Sequence, residues 1–369
     1  MERRVSSLAV SVLTPDDVDE VSALYANVFR SGKAVRLEEV STYIREVFLD
    51  HPLSGGREGS LLCRDSQGVI AAAVLVLPMT LRFGEDILSG RLLCCLMKNP
   101  KSLEANAAIY RLCLALHPRS QDFSFTDTAA PRSVDIFRSG GGEMLPFQTM
   151  NWRRVFRPLA FVAGQRFGTY VFAPVFNLIA NFGDVFVRKV VSGLRALPVP
   201  GFRTADIEVE SFRQIALQMT SRHAIRPDWN SDEFAWLVSS ALSNPLLGEM
   251  RVRSVSNQAG KLIGAYLYFL SDRHIARVFH VVHEEEHGCE VMKALFAELD
   301  GAGAYLATGM AQADLLVPLS QEPRLSYRFR GGFCVLSKHA KVIDALRRND
   351  VYLGGFYSES WNRPAMDFN

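Results

Sequence analysis

Glu39–Leu53 has a gapless echo far downstream, at Asp232–Leu246. In that register Tyr43 meets Trp236, Leu49 meets Leu242, and Pro52-Leu53 meets Pro245-Leu246. Further matches follow at nearly the same offset. Gly68–Val74 falls on Gly260–Tyr266, and Phe137-Arg138-Ser139-Gly140-Gly141 falls on Arg328-Phe329-Arg330-Gly331-Gly332. Identities are few, so the weight lies on a repeated order of elements, which is what a duplicated unit leaves behind. A chain of 369 residues with 48% hydrophobic side chains has the length and the apolar material for two such units, each with its own core.

The local signals give the same element order in both halves. A strand at Ala9–Leu13 leads into Thr14-Pro15-Asp16-Asp17, a helix start with a Thr cap, Pro at the first position and acids in the first turn. The spacing Val18, Val21, Leu24, Val28 carries that helix to about Phe29. A second helix spans about Leu37–Leu49 and stops at Pro52. A hairpin turns at Gly68, a strand covers Arg91–Met97, and a helix runs over about Leu103–Leu116. A short strand at Asp122–Phe125, a helix ending at Gly140-Gly141-Gly142 and a last strand to about Trp152 complete the unit. The expected domains are residues 1–155 and 204–369, joined by 156–203.

The joining stretch differs in composition. Residues 153–203 hold eight basic side chains and one acid, Asp184, around an uncharged core from Phe167 to Gly183. That core is shorter than a spanning helix and is interrupted by Pro174, Asn177 and Asn181. One reading is a pair of bridging helices with their apolar faces buried between the domains. The other is a basic amphipathic segment resting on an anionic membrane.

Several classes are excluded or disfavoured. A net charge of +2 argues against DNA as a partner. Six cysteines without a CxxC pair suggest neither a zinc ribbon nor a disulfide framework, and imply a reducing, cytoplasmic setting. The N-terminus has no long apolar run of the kind a signal peptide needs. His283-Glu284-Glu285-Glu286-His287 matches the H-E-x-x-H zinc pattern in letters, but three successive acids read as a solvated helix start, so no metal is expected.

The strand, two helices, hairpin, strand, helix, strand and short helix, with the turns at Gly68 and Gly260 and the Tyr327-Arg-Phe-Arg-Gly-Gly-Phe333 ending, resemble the GNAT family of N-acetyltransferases. The resemblance covers nearly the whole chain in two copies and extends to FemAB-like and polysaccharide-associated acyltransferases of bacteria. It implies an α/β (α+β) fold of two tandem GNAT-like domains, each a mixed, mostly antiparallel twisted sheet flanked by helices. It also implies acyl transfer from acetyl-CoA or a longer acyl-CoA to a small amine, such as an amino sugar. Neither copy keeps the family's glycine loop for the pyrophosphate. The first has Met97, Lys98, Asn99, Lys101 and Ser102 there, with Ser102 placed to cap the next helix; the second has three glutamates. The first copy is therefore the expected donor site, with a backbone N–H after Leu96 polarising the thioester carbonyl. The family's acid, the tyrosine of "Y-x-x-x-G", aligns with Phe137 and Arg328, so the catalytic residue is left open.

For the acceptor, Asp127 and Thr128 follow the fifth strand, either at the cleft or as caps of the helix at Pro131. Trp229, in the cluster His223, Arg226, Pro227, is a stacking candidate for a sugar or a core residue. Two other functions remain open: a FemAB-like transferase using charged tRNA, for which the basic middle segment is the cue, and a non-catalytic scaffold of degenerate copies.

Overall fold

In the computed structural model the described residues are 8–30, 35–53, 59–117, 122–167 and 173–363. The first half contains β1 (Val10–Val12), α1 (Val18–Phe29), α2 (Leu37–Phe48), β2 (Leu61–Arg64), β3 (Ile70–Phe83), β4 (Asp86–Lys98) and α3 (Ala105–Leu116). It closes with β5 (Phe123–Ala129), α4 (Pro131–Ser139), β6 (Glu143–Met144) and β7 (Met150–Val155). Two helices follow, α5 (Pro158–Phe167) and α6 (Ala173–Val190). The second half contains β8 (Phe202–Asp206), α7 (Val209–Met219), β9 (Ile225–Pro227), α8 (Ser231–Leu242), β10 (Glu249–Asn257), β11 (Leu262–Leu270) and β12 (Ile275–His283). It closes with α9 (Gly288–Gly301), β13 (Leu306–Met310), α10 (Leu316–Ser320), β14 (Leu325–Phe329), β15 (Gly332–Ser337) and α11 (Ala340–Arg347).

Local chemistry accounts for the helix starts. Thr14 and Asp17 form the reciprocal cap before α1: the Thr14 amide and hydroxyl both donate to the Asp17 carboxylate, at 2.9 and 2.6 Å. Asn230 caps α8 by accepting from the Glu233 amide at 2.8 Å. Helices α2 and α8 are the elements joined by the Tyr43/Trp236 register, and both pack on the C-terminal tail. The Arg363 amide donates to the Tyr43 hydroxyl at 3.0 Å, and Trp236 meets Trp361 edge-on at 5.8 Å.

The strands form two mixed sheets. The first has the order β1-β2-β3-β4-β5-β15-β6, with β9 pairing the far end of β3. The second has the order β8-β10-β11-β12-β13-β7-β14. The two orders correspond strand for strand, except that β7 and β15 have changed places. The last strand of the first half lies in the second sheet between β13 and β14, and β15 of the second half lies in the first sheet between β5 and β6. The strand expected to close the N-terminal unit at residue 155 therefore belongs to the other sheet. Alternation along a strand fixes which face is buried but not which sheet receives it.

The paired Gly-Gly runs are not equivalent either. Gly140-Gly141 ends α4, whereas Gly331-Gly332 links β14 to β15. Tyr327 accordingly lies on an outer strand, 44% exposed, remote from the acid role that the family's ending implies.

Side chains of both sheets share one apolar core, which includes Leu92, Phe125 and Val335 from the first and Phe269, Phe279 and Val282 from the second. The tail beyond α11 completes it, with Tyr352, Phe356, Tyr357 and Trp361 buried. Helices α5 and α6 pack against each other, and the buried Asp184 on α6 accepts from the Leu159 and Ala160 amides at the start of α5. Their outer apolar faces are not buried between domains as the bridging reading required. Ile179, Phe182 and Phe186 are each more than 60% exposed. Among the described residues no helix is long and apolar enough to cross a membrane.

Candidate active site

The site begins where two parallel strands part. β4 and β5 pair only from Gly90 to Leu92, on one side, and from Phe123 to Phe125, on the other. Beyond that point they diverge. The same stretch of β4 bulges away from β3: Leu75 opposes Cys94 and Ala73 opposes Met97, so Cys95 and Leu96 lose their ladder partners. Cys95 takes φ +42°, rare for a residue with a side chain, and a bulge with such a residue leaves a backbone group unpaired and re-aimed.

The divergence opens a cavity of about 430 Å³. Leu93, Cys95 and Leu96 line one wall, Thr126, Thr128 and Ala129 the other; α3 and α4 close it with Leu116 and Phe137. Its inner end carries Glu359, delivered by the C-terminal tail. This carboxyl is 8% exposed. It accepts from the Thr128 hydroxyl at 2.8 Å, while the Glu359 amide donates to Asp127 at 3.1 Å. Asp127 is buried and paired with Arg330 at 2.6 Å. Burial, reinforced by the Asp127 carboxylate, pushes the Glu359 carboxyl up to about 7; the hydrogen bonds from Thr128 and Cys94 and the charge of Arg330 oppose that rise. A carboxyl so placed exchanges its proton near neutrality.

The second sheet repeats the parting and the bulge. β12 and β13 pair only as far as Val278 and Gly309, and Phe279 is the extra residue opposite β11. Here the gap is filled by the tail. The buried His280 is held neutral by desolvation; its Nε2 accepts from the Phe356 amide at 3.1 Å and its Nδ1 faces the Tyr352 hydroxyl at 3.2 Å. Gln312 donates to the Leu353 carbonyl at 2.5 Å. The tail that blocks the second cleft is thus the segment that arms the first.

A second cavity, of about 490 Å³, lies on the face of the second sheet and is lined by Thr128 and Ser360 at one end. Thr128 lines both cavities; Glu359 lines the first, and its chain neighbour Ser360 lines the second.

The residues singled out from the sequence fare differently. Asp127 and Thr128 do not cap α4, whose cap position is Ala130; they lie within β5, where Thr128 lines both cavities and the fully buried Asp127 holds Arg330 and the Glu359 amide. Met97 is buried at the end of β4 and Lys98 is exposed beside it. Asn99 donates to the Ile70 carbonyl at 2.9 Å and accepts from the Lys101 amide at 3.0 Å, which shapes the loop before α3. Ser102 is not the cap of α3; its hydroxyl donates to Asp65 at 2.7 Å, and Glu104 stands at the cap position. Trp229 is no stacking platform. It is 2% exposed, stacked on Tyr357 at 5.4 Å and edge-on to His280. Arg226 and Pro227 beside it belong to the β9 strap on β3. His283 ends β12 and His287 sits in a single tight turn, so they do not share a helix face. Among the described residues no group of three or more His, Cys, Asp or Glu side chains is arranged to hold a metal.

No protein-family model matches the sequence, and no curated protein matches it. Solved structures do. A GCN5-related N-acetyltransferase from Anabaena variabilis superposes with a TM-score of 0.57 at 10% identity, over 89% of this chain and 72% of that one. The fold is the GNAT fold. A probable N-acyltransferase from Enterococcus faecalis gives 0.55 at 11% identity, over 91% and 74%. A GCN5-related N-acetyltransferase from Kribbella flavida gives 0.50 at 12%, over 91% and 72%. The GNAT fold here is that of two mixed sheets flanked by helices, with the open parting of strands in the first.

Proposed function

We propose that the protein is an N-acyltransferase that takes its acyl group from an acyl-CoA in the first sheet. The observation that carries this reading is the open parting of β4 and β5 with a buried carboxyl of raised pKa at its inner end. The cavity's apolar walls suit a pantetheine arm and an acyl chain, and the bulge at Cys95–Leu96 supplies a backbone N–H for the thioester oxygen. Exposed Lys98 and Lys101, which make no ion pair among the described residues, stand before α3 where phosphates would lie.

The steps balance on the chain's own groups. Glu359 as carboxylate takes one proton from the acceptor ammonium and releases it to solvent; the freed amine attacks the thioester carbon, a C–N bond forms and the C–S bond breaks. The attacking nitrogen must shed a second proton to become an amide, and the thiolate needs one. Glu359 takes that second proton and, with an ordinary thiol pKa of about 8.5, the thiolate receives it downhill from the carboxyl. Structural neighbours described as N-acetyltransferases and a probable N-acyltransferase support the reaction class.

Calorimetric titration with acetyl-CoA and octanoyl-CoA, followed by turnover with a panel of amines, tests the reading. The expected result is binding of at least one donor, and a kcat/KM that rises with pH through about 7. Glu359→Gln keeps donor binding and lowers kcat by roughly a hundredfold or more. A protein that binds no acyl-CoA, or a Glu359→Gln variant with full turnover, refutes it.

A further inference from the structure

The floor of the second cavity is a row of cations without counter-ions. Arg277, Thr308 and Arg153 stand abreast on β12, β13 and β7, and Met310, Asn151 and Arg328 stand abreast one pair further on, across β13, β7 and β14. Residues two apart on a strand share a face, so all three guanidinium groups rise on the same side. Arg330, which also lines the space, is neutralised by Asp127. The other three are not: among the described residues Arg153, Arg277 and Arg328 have no carboxylate within ion-pair distance, and no Asp or Glu lines the cavity. Arg153 Nε and Asn151 Oδ1 are buried without a hydrogen-bond partner. Desolvation and the neighbouring charge of Arg328 both push the Arg153 pKa down, the signature of cations crowded together at a cost to the folded protein.

We propose that this cavity receives the acceptor of the transfer, and that Arg153, Arg328 and Arg277 hold an anionic group on it, a phosphate or a carboxylate. The inference rests on the transferase reading for the word acceptor, but the anion site stands on its own geometry. Like charges left unpaired in a partly buried cleft are stabilised by a ligand of opposite sign, and planar forks match phosphate and carboxylate oxygens. The cavity shares Thr128 with the donor space, and its lining residue Ser360 follows Glu359 in the chain, so an acceptor anchored here by its anion has its amine end beside the residues that hold the base.

The test is calorimetry on the full chain with paired amines, O-phosphoethanolamine against ethanolamine, plus inorganic phosphate and succinate as bare anions. Dihexanoylphosphatidylethanolamine separates a lipid headgroup from a soluble source. Expected are binding of at least one anionic probe and none of ethanolamine, weakening with salt, and a roughly thirtyfold loss in Arg153→Gln/Arg328→Gln. Arg153→Lys, which keeps charge without the fork, falls between. Acetyl-CoA affinity, read in parallel, stays unchanged in these variants and reports an intact fold. A wild type that binds acyl-CoA but no anionic probe overturns this proposal and leaves the transferase reading. Anion binding without acyl-CoA binding does the reverse. Anion binding unchanged in the double variant also overturns it.

A different observation carries a second proposal. The outer face of the α5–α6 hairpin exposes Val162, Leu178, Ile179, Phe182, Phe186 and Val190, from 58% to 84%. These recur at helical spacing, so they form one contiguous apolar stripe. Beside it Arg166 stands one turn from Val162 and Lys189 lies over the Phe186 ring; both are exposed and make no ion pair among the described residues, while Asp184, the one acid between residues 156 and 203, is buried. An apolar stripe whose own helices expose only cations as unpaired charges is complementary to an anionic bilayer surface. We infer that this hairpin docks the protein on such a surface without crossing it. Flotation with vesicles of equal parts phosphatidylcholine and phosphatidylglycerol at low salt is expected to carry the protein, vesicles of phosphatidylcholine alone much less, and Ile179→Glu/Phe186→Glu not at all. Failure of the wild type to float, or light scattering that shows a dimer dissolved by the same double substitution, overturns it.

Discussion

Gly355 is the residue on which the site's assembly turns most sharply. It has φ +56°, and a Cβ there would stand 2.3 Å from the His280 ring and 2.6 Å from the Phe279 carbonyl oxygen. Gly355→Ala is expected to displace the tail that carries Glu359, lowering stability by about 2 kcal/mol or more together with turnover. Denaturant unfolding and steady-state kinetics on one preparation check both. Glu233 offers a pH-dependent test. Its buried carboxyl is pushed up to about 8, first by desolvation and then by the Asp228 carboxylate, with the Thr80 backbone opposing. Between 4.5 and about 8 the folded state therefore holds a proton that the unfolded state has lost, and stability falls as pH rises through that window. Glu233→Gln is expected to flatten the fall and to raise Tm at pH 8, by on the order of 2 kcal/mol of stability. A Tm difference that does not grow between pH 5 and pH 8 refutes the assignment. Part of this chemistry was legible in the sequence. Asp127 and Thr128 stood out beside the fifth strand, although the structure runs that strand through them to Ala129. Glu359 was not legible, because it lies in an aperiodic tail that carries no helix or strand pattern. The arginine floor was invisible for another reason: Arg153 and Arg277 become neighbours through pairing across three strands.

Among elements, the helices were read well and the sheets only in part. The period of α2 and α8 marks their apolar faces, and both Tyr43 and Trp236 lie on those helices against the C-terminal tail. Strand membership is set by contacts distant in sequence, so the exchange of β7 and β15 left no local mark. The exchange makes a definite prediction about fragments. A chain cut in the loop near Pro198 gives an N-terminal piece whose first sheet lacks β15 and a C-terminal piece whose second sheet lacks β7. Each alone is expected to aggregate or to remain unfolded, with open strand edges. Co-expressed, the two are expected to form a folded one-to-one complex on size exclusion with the circular dichroism of the intact chain. A soluble, folded N-terminal fragment refutes the reciprocal dependence.

For the whole molecule, two sheets, one shared core and a tail wedged between them argue against independent domains. Calorimetry is expected to show one unfolding transition with equal van't Hoff and calorimetric enthalpies, and two resolved transitions refute the shared core. The same plan sets the two partings apart: the tail that occupies the second presents its carboxyl to the first. In the proposed reaction the first sheet takes the donor and the second the anion-bearing acceptor.

The exchanged strand also has a consequence in time. β7 leaves the ribosome long before β13 and β14, the strands between which it lies. At about 5–20 residues per second the interval is on the order of ten seconds. During that interval the nascent first sheet has an unfinished edge at β5, and β7 has nowhere to pair. Two ribosomes on one message bring a second unfinished copy close by. The order of synthesis therefore sets a window in which β7 of one chain is open to capture by the sheet of another.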